Sequence, residues 1–394
     1  MSTTSSLSIR LPGADRRLEN YTLRMATPLV TAAPKRPFTR IAYSAAHVVA
    51  DPVATVDPWI TAAIDWDATI AYRQRLWSLG LGVAEAMDTA QRGMGLDWPT
   101  SLELIRRSVG AAKARGDALV FSGAGTDHLA PEAARSVDDV IRAYEEQFAA
   151  IEGVGGRIIL MASRALARVA KSADDYVKVY DRILSQAKEP VIIHWLGDMF
   201  DPALAGYWGT NNLDAAMDTC VSIINSHAEK VDGVKISLLD KDKEIAMRRR
   251  LDKRVRMYTG DDFNYAELIA GDDQGYSHAL LGIFDAIAPA ASSALVSLAA
   301  GKIDAFHEAL APTVPLSRHI FRAPTRFYKT GVVFMAYLNG HQDHFTMVGG
   351  QESARSTLHL AELFRLADKA GLLRDPDLAV ERMRFVLATH GVEA

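Results

Sequence analysis

Short apolar runs alternate with longer amphipathic stretches along most of the chain, beginning near residue 41. Eight of these runs are six to nine residues long, and several are rich in β-branched side chains. Continuous apolar runs of this length are typical of strands that are buried on both faces of a parallel sheet. We therefore predict eight strands, which lie in residues 41–49, 81–87, 118–123, 157–162, 190–196, 232–239, 255–260 and 275–281.

Helical patterns separate the apolar runs, and in one of them Thr100 and Glu103 have the spacing of a capping box that opens a helix. Strands that alternate with helices predict an α/β fold, here a (β/α)8 TIM barrel. A doubly wound open sheet is the competing fold, but it would need a glycine fingerprint where residues 44–52 read SAAHVVADP. We expect an N-terminal arm in residues 1–38 with a short hairpin around 18–30, the barrel in 39–300, and a C-terminal helical extension in 301–394.

The composition is that of an ordinary globular protein, with 49% hydrophobic and 23% charged residues among 394. A formal net charge of -4 gives no general attraction for nucleic acid or for an anionic membrane. Neither a signal-peptide pattern nor a transmembrane-length apolar run is present, so we expect a cytoplasmic protein without a membrane partner. The single cysteine, Cys220, excludes a disulfide within the chain and is predicted to be a buried thiol.

Lys235 is the strongest candidate for chemistry, because it lies inside the apolar sixth run, near the barrel edge where active sites form. Lysine is rarely buried unless it is paired or functional. Burial lowers the pKa of an ammonium group and creates the neutral amine that a Schiff base requires. The competing interpretation is a lysine at a strand edge whose amine reaches water.

Several segments around Lys235 match a known superfamily. Residues 233–235 read GVK, residues 258–262 read YTGDD, and residues 271–277 read GDDQGYS. Residues 190–193 (PVII) and the helices after residues 321–324 (FRAP) match in character. The chain resembles a divergent branch of the dihydrodipicolinate synthase and N-acetylneuraminate lyase superfamily over residues 39–375, most specifically over 190–280. The resemblance implies a homo-oligomeric lyase in which Lys235 forms a Schiff base.

Two departures from the superfamily pattern concern the substrate. The superfamily has Gly-Thr-Thr-Gly-Glu after the second strand to hold a carboxylate, whereas residues 88–91 read DTAQ. Its proton-relaying tyrosine after the fourth strand is replaced by Ser163 and Arg164, and Arg164 is a candidate for the superfamily's substrate-binding arginine. We infer that the lysine that reacts with the substrate carbonyl is kept, whereas the residues that bind the rest of the substrate have changed.

These observations predict a class I aldolase-like lyase in which Lys235 attacks a keto acid or keto sugar for C–C bond cleavage, condensation or dehydration. His194, on the fifth strand, would move protons with a pKa near neutral pH. Polar side chains that hydrogen-bond hydroxyl groups favour a small, sugar-derived carbonyl compound as the partner, and no cofactor is required. The residues predicted to bind substrate are Asp88, Thr89, Gln91, Asp261, Ser277 and His278.

Two alternatives stay open. His47, His194 and His278 lie on the first, fifth and eighth predicted strands and could bind a divalent metal that polarises a carbonyl. Such a protein would be a metal-dependent aldolase or isomerase. The second alternative is a barrel without catalytic activity that only binds a sugar-like ligand.

Overall fold

The computed structural model describes residues 7–24, 33–35 and 37–392. These residues fall into two compact units, one within Met1–Phe38, His47–Gly80 and Ile283–Ala394, the other in Thr39–Ala46 and Leu81–Gly282. The division into an arm, a barrel and an extension at residues 38 and 300 stays a prediction. Part of the predicted arm, and residues 25–30 of its predicted hairpin, lie outside the described residues.

Eight parallel strands form a closed barrel, as predicted, in which each strand pairs with its neighbours in chain order and the last strand pairs with the first. Each of the eight predicted apolar runs overlaps one of these strands. The barrel strands are β3 Ala42–Ala45, β4 Gly82–Glu85, β5 Val120–Ala124, β6 Ile158–Leu160, β7 Val191–Leu196, β8 Val231–Ser237, β9 Arg256–Thr259 and β10 His278–Leu281. A separate antiparallel hairpin precedes them, formed by β1 Ser8–Pro12 and β2 Leu18–Thr22, so the chain turns back earlier than expected.

Large side chains from most of the barrel strands meet in one buried cluster, which includes Tyr43, Phe121, Ile192 and Tyr258. Because alternate residues of a strand point to opposite faces, this cluster is the filled interior of the barrel. β8 contributes Gly233 at this level, where an added Cβ would lie 2.5 Å from the Tyr258 ring. The glycine leaves room for the tyrosine, and the next inward position of β8 is Lys235.

Helices follow the barrel strands and make up the C-terminal region, as predicted. They are α1 Trp66–Ser78, α2 Trp98–Arg115, α3 Val137–Gly153, α4 Arg164–Val169, α5 Ala173–Gln186, α6 Leu213–Ser226, α7 Lys241–Arg248, α8 Tyr265–Ala270, α9 Ile283–Ala286, α10 Ala288–Ala299, α11 Ile303–Leu310, α12 Thr313–Ile320, α13 Tyr328–Leu338, α14 Thr357–Lys369 and α15 Pro376–Thr389. Among the described helices, none combines the length and the apolar character that crossing a membrane would require.

The start of α2 corrects the predicted capping box. The helix begins at Trp98, because Asp97 accepts a hydrogen bond from the backbone N–H of Thr100. Thr100 therefore lies inside the first turn, and Glu103 pairs with arginines on the same helix. A carboxylate directly before Trp98-Pro99 was the stronger local signal, since proline is favoured in the first turn and aspartate at the cap.

Candidate active site

Lys235 occupies the C-terminal half of β8, directly opposite His194 of β7 in the parallel register. It is 7% exposed. No hydrogen bond or ion pair engages its amine among the residues that the structure describes. Gly260 lies beside it, where an added Cβ would come within 2.8 Å of Lys235 Cε. The lysine is therefore a buried amine without a fixed partner.

The electrostatics of Lys235 follow from this position. Burial lowers the pKa of its amine, because the charged form loses its hydration. The charges of Asp262 and Asp88 oppose this effect and raise the pKa. Since burial is the larger cause, the pKa of Lys235 lies below the ordinary value for lysine, which increases the fraction of neutral, nucleophilic amine.

His194 lies fully inside the barrel, and its Nε2 is 3.2 Å from Ser237 Oγ. Burial, and then the charge of Lys235, lower the pKa of His194 well below its ordinary value. The predicted pKa near neutral pH is therefore wrong. The imidazole is neutral at physiological pH, and a neutral imidazole can donate one hydrogen bond and accept another.

A small cleft is lined by residues of the fifth barrel strand and by residues that follow the second to fifth strands, and its cavity volume is about 70 Å³. Asp88 and His194 both line it, and both interact electrostatically with the Lys235 amine. Lys235 does not itself line the barrel cleft, but it lies opposite His194, which does. Thr126, Arg164 and Met161 supply hydroxyl, guanidinium and apolar surface to the same space.

Arg92 holds the wall of the barrel cleft in place. Its guanidinium forms two hydrogen bonds with Asp127, at 2.7 and 2.9 Å, and donates to Gln147 and to the carbonyl oxygens of Ala86 and Gly123. Burial would raise the pKa of Asp127, but the charge of Arg92 and its hydrogen bonds hold it below the ordinary value. This pair, in which Arg92 is buried and Asp127 is partly exposed, fixes the loops after β4 and β5 relative to each other.

Hydroxyl groups cluster behind the cleft at the end of β6. Thr126 Oγ1, which belongs to a cleft residue, is 2.6 Å from Ser163 Oγ. The backbone N–H of Ser163 donates to the Tyr207 hydroxyl at 3.1 Å, and Tyr180 lies 3.1 Å beyond it. Burial raises the pKa of Tyr207, so its hydroxyl stays neutral and can both donate and accept hydrogen bonds.

Of the three residues after the second barrel strand that were predicted to bind substrate, one lines the cleft and two do not. Asp88 lines the barrel cleft, as described above. Thr89 and Gln91 are buried in the turn that follows and do not line it. Gln91 adopts a left-handed conformation, and its amide donates to the carbonyl oxygen of Met94.

Asp261 is directed into its own turn rather than toward the lysine. Its carboxylate accepts hydrogen bonds from the backbone N–H groups of Phe263 and Asn264 and from the Asn264 side chain. The neighbouring Asp262, together with Asp88, is the carboxylate whose charge acts on Lys235.

The structure places Ser277 and His278 at the wrong end of the eighth barrel strand for the predicted role. β10 begins at His278, so both residues lie at the N-terminal edge of the barrel, whereas Lys235 lies near the C-terminal edge. Ser277 donates to Glu244 at 2.6 Å, and His278 Nδ1 accepts a hydrogen bond from the backbone N–H of Ile41. Both are structural contacts.

The three-histidine metal site is not formed. His47 Nδ1 pairs with Asp285 at 2.8 Å, while His194 faces Ser237 and His278 faces Ile41. Within the part of the chain that the structure describes, no group of three or more His, Cys, Asp or Glu side chains is arranged to hold a metal ion.

Comparison with family models gives one match, to the family described as "Protein of unknown function (DUF993)", over residues 9–392. The chain belongs to the DUF993 family. A comparison with curated proteins finds no match.

Solved structures share the fold of this DUF993 chain. YagE, a prophage protein of the dihydrodipicolinic acid synthase family from E. coli K12 in complex with pyruvate, aligns with a TM-score of 0.66 and 13% identity over 85% of this chain and 99% of that one. Dihydrodipicolinate synthase from Oceanobacillus iheyensis aligns at 0.60 with 15% identity, over 83% and 96%. The enzyme from Aquifex aeolicus aligns at 0.59 with 12% identity, over 90% and 98%. The predicted resemblance is confirmed for the fold.

Sequence reasoning about this DUF993 chain missed Arg92, Tyr207 and the role of Asp262. Arg92 follows the DTAQ segment directly, and Asp262 lies beside a predicted site residue, so both were within reach of a local argument. Tyr207 comes from the loop after β7 and reaches the end of β6, a contact that no local pattern indicates.

Proposed function

We propose that this protein is a class I aldolase-like lyase whose nucleophile is Lys235. The neutral amine attacks the carbonyl carbon of a small ketone or 2-oxo compound, water leaves, and the resulting iminium accepts the electron pair of a breaking bond at the adjacent carbon. The observation that carries this proposal is a buried amine of lowered pKa that forms no ion pair with any described residue and lies opposite a cleft residue, His194.

The size and polarity of the barrel cleft favour a short substrate. A cavity of about 70 Å³ accommodates a few heavy atoms, so an intact hexose would require the cleft walls to move. Asp88 disfavours a carboxylate next to it and accepts hydrogen bonds from hydroxyl groups, as does Thr126. A short carbonyl compound with hydroxyl groups fits this chemistry best.

Proton movement would use neutral groups. His194 and Ser237 form one hydrogen-bonded pair next to the lysine, and Thr126 with Ser163 forms another at the cleft. We propose that His194 accepts and returns the proton during iminium formation and hydrolysis. A cytoplasmic location and a homo-oligomeric state remain predictions.

Borohydride trapping tests the proposal. The protein is incubated separately with pyruvate, 2-oxobutyrate and dihydroxyacetone, reduced with sodium borohydride, and analysed by intact mass and peptide mapping. We expect a stable mass increase on the peptide that contains Lys235, and its loss in Lys235→Met. Lys329→Met is the matched control, because Lys329 is also buried but donates to the carbonyl oxygen of Arg326 at 3.1 Å.

Three other outcomes of these experiments would favour a different nucleophile or a different function. An adduct that persists in Lys235→Met would refute the assignment of the nucleophile. Turnover that a chelator abolishes, without any trapped adduct, would favour the metal-dependent aldolase or isomerase. Ligand binding without turnover or trapping would favour the non-catalytic barrel.

A further inference from the structure

A second cavity lies in the unit that contains most of the C-terminal helices. Its volume is about 460 Å³, and it is lined by residues of α1, α10, α13 and the segment after α14. Cavities that bind small molecules have volumes of about 300–1,000 Å³. We call it the arginine pocket, after Arg75 and Arg374 in its wall; none of the residues that line it lines the barrel cleft.

In the wall of the arginine pocket, Arg75 is half-buried and Arg374 is exposed. Among the residues that the structure describes, neither Arg75 nor Arg374 forms a side-chain hydrogen bond or an ion pair. The Nε of Arg75 is buried and lacks an acceptor. A buried donor of this kind costs stability unless a ligand or ordered water satisfies it.

No carboxylate balances this charge. Asp285 is the one acidic residue among the described residues of the wall. Its carboxylate is fully buried and pairs with the ring and the backbone N–H of His47. Tyr72 donates a hydrogen bond to the backbone carbonyl oxygen of Asp285 at 2.7 Å. Among the described residues of the wall, Asp285 is thus engaged by His47, and the two guanidinium groups are the charged groups that no protein group engages.

Apart from Ser78 and Asn339, the rest of the wall is apolar and aromatic. The rings of Tyr72 and His341 lie 5.3 Å apart, and Leu79, Met335 and Leu372 complete the surface. Burial, and then the charge of Arg75, lower the pKa of His341 to about 3, so its ring is neutral at physiological pH. An apolar wall with two cations matches a ligand that has an apolar body and an anionic group.

We propose that the arginine pocket binds a small organic anion, with its phosphate or carboxylate group between Arg75 and Arg374 and its apolar body against Tyr72 and His341. The paired cations recognise the anionic group, and the cavity volume sets the size of the body. This site is independent of the Schiff-base proposal, because it shares no residue with the barrel cleft.

Isothermal titration calorimetry with phenyl phosphate, benzoate, inorganic phosphate and phenol tests the proposal. We expect phenyl phosphate or benzoate to bind at least tenfold more tightly than inorganic phosphate, and phenol to bind more weakly than either organic anion. The preferred anion distinguishes a phosphate ligand from a carboxylate ligand. Absence of binding by both organic anions at about 10 mM would overturn the proposal.

Three variants locate the binding. Arg75→Gln should weaken it at least tenfold, and Arg75→Lys should restore part of the loss, because lysine keeps the charge without the planar fork. Arg384→Gln, an exposed arginine of the same unit, should leave binding unchanged. Thermal unfolding of each variant reports whether it is folded. Equal binding by folded Arg75→Gln and the parent protein would show that the ligand lies elsewhere and refute the assignment.

A fourth variant separates this proposal from the Schiff-base proposal. Lys235→Met should bind the organic anion as the parent protein does. Loss of anion binding in Lys235→Met, with Arg75→Gln unaffected, would place the anion in the barrel cleft instead and overturn the inference.

Discussion

Glu244 is a buried carboxyl group, and its effect on the free energy of unfolding can be measured as a function of pH. The residue lies on α7, is 1% exposed, and accepts a hydrogen bond from Ser277 at 2.6 Å. Burial raises its pKa from 4.5 to about 8, and the hydrogen bond from Ser277 offsets only part of this effect. The folded protein therefore binds a proton at Glu244 that the unfolded chain releases near pH 4.5.

The sign and the size of the effect follow from this difference. Because the folded-state pKa is raised, the stability that Glu244 contributes is complete below about pH 4.5 and is lost as the pH rises to about 8. One pH unit corresponds to about 1.4 kcal/mol, so the whole window corresponds to about 5 kcal/mol in the free energy of unfolding.

Glu244→Gln removes the titration and keeps an oxygen that can accept the Ser277 hydrogen bond. We expect the variant to gain stability relative to the parent protein by about 1.4 kcal/mol per pH unit between about pH 5 and pH 8. Urea unfolding, followed by tryptophan fluorescence at several pH values, measures this difference. Glu132→Gln, at an exposed position, controls for the loss of one carboxylate. A Glu244→Gln difference that does not change with pH would refute the reasoning.

Three further predictions concern the candidate active site. Gly260→Ala places a Cβ 2.7 Å from a backbone oxygen and 2.8 Å from Lys235 Cε. The variant should therefore lower the free energy of unfolding by about 1–3 kcal/mol and slow borohydride trapping. Trapping at the parental rate would contradict this prediction. Asp88→Asn removes a charge that raises the pKa of Lys235, so half-maximal trapping should move to lower pH, and a shift to higher pH would show the opposite coupling. Arg92→Gln leaves the partly exposed Asp127 carboxylate without its charged partner and should cost about 1–3 kcal/mol in urea unfolding, whereas a loss below about 0.5 kcal/mol would mean that the pair is not needed.

Several features of the candidate site were predictable from the chain because they depend on neighbours in sequence. Lys235 lies between Val234 and Ile236 in the sixth run, and a lysine flanked by apolar residues in a strand indicated a buried amine before the fold was known. Asp88 directly follows the second run, and it lines the cleft. The misplacement of Ser277 and His278 was avoidable, since both precede the apolar residues of their run and therefore belong to the start of the strand.

Other features depend on parts of the chain that are distant in sequence. Burial by surrounding strands, together with the charge of Lys235, lowers the pKa of His194, and no local pattern reports that environment. The choice between Asp261 and Asp262 depends on the direction of each side chain in the turn after β9, which is decided when Asp261 accepts the backbone hydrogen bonds.

The sequence by itself determined the eight strands, their order and the lysine on the sixth, because the alternation of short apolar runs with amphipathic helices is a local property of the chain. Tertiary structure alone decided which groups surround that lysine, how the buried groups titrate, and that Arg75 and Arg374 share one cavity. These properties arise from distances between residues far apart in the chain and from the exclusion of water by packing. A single segment of the sequence determines neither of them.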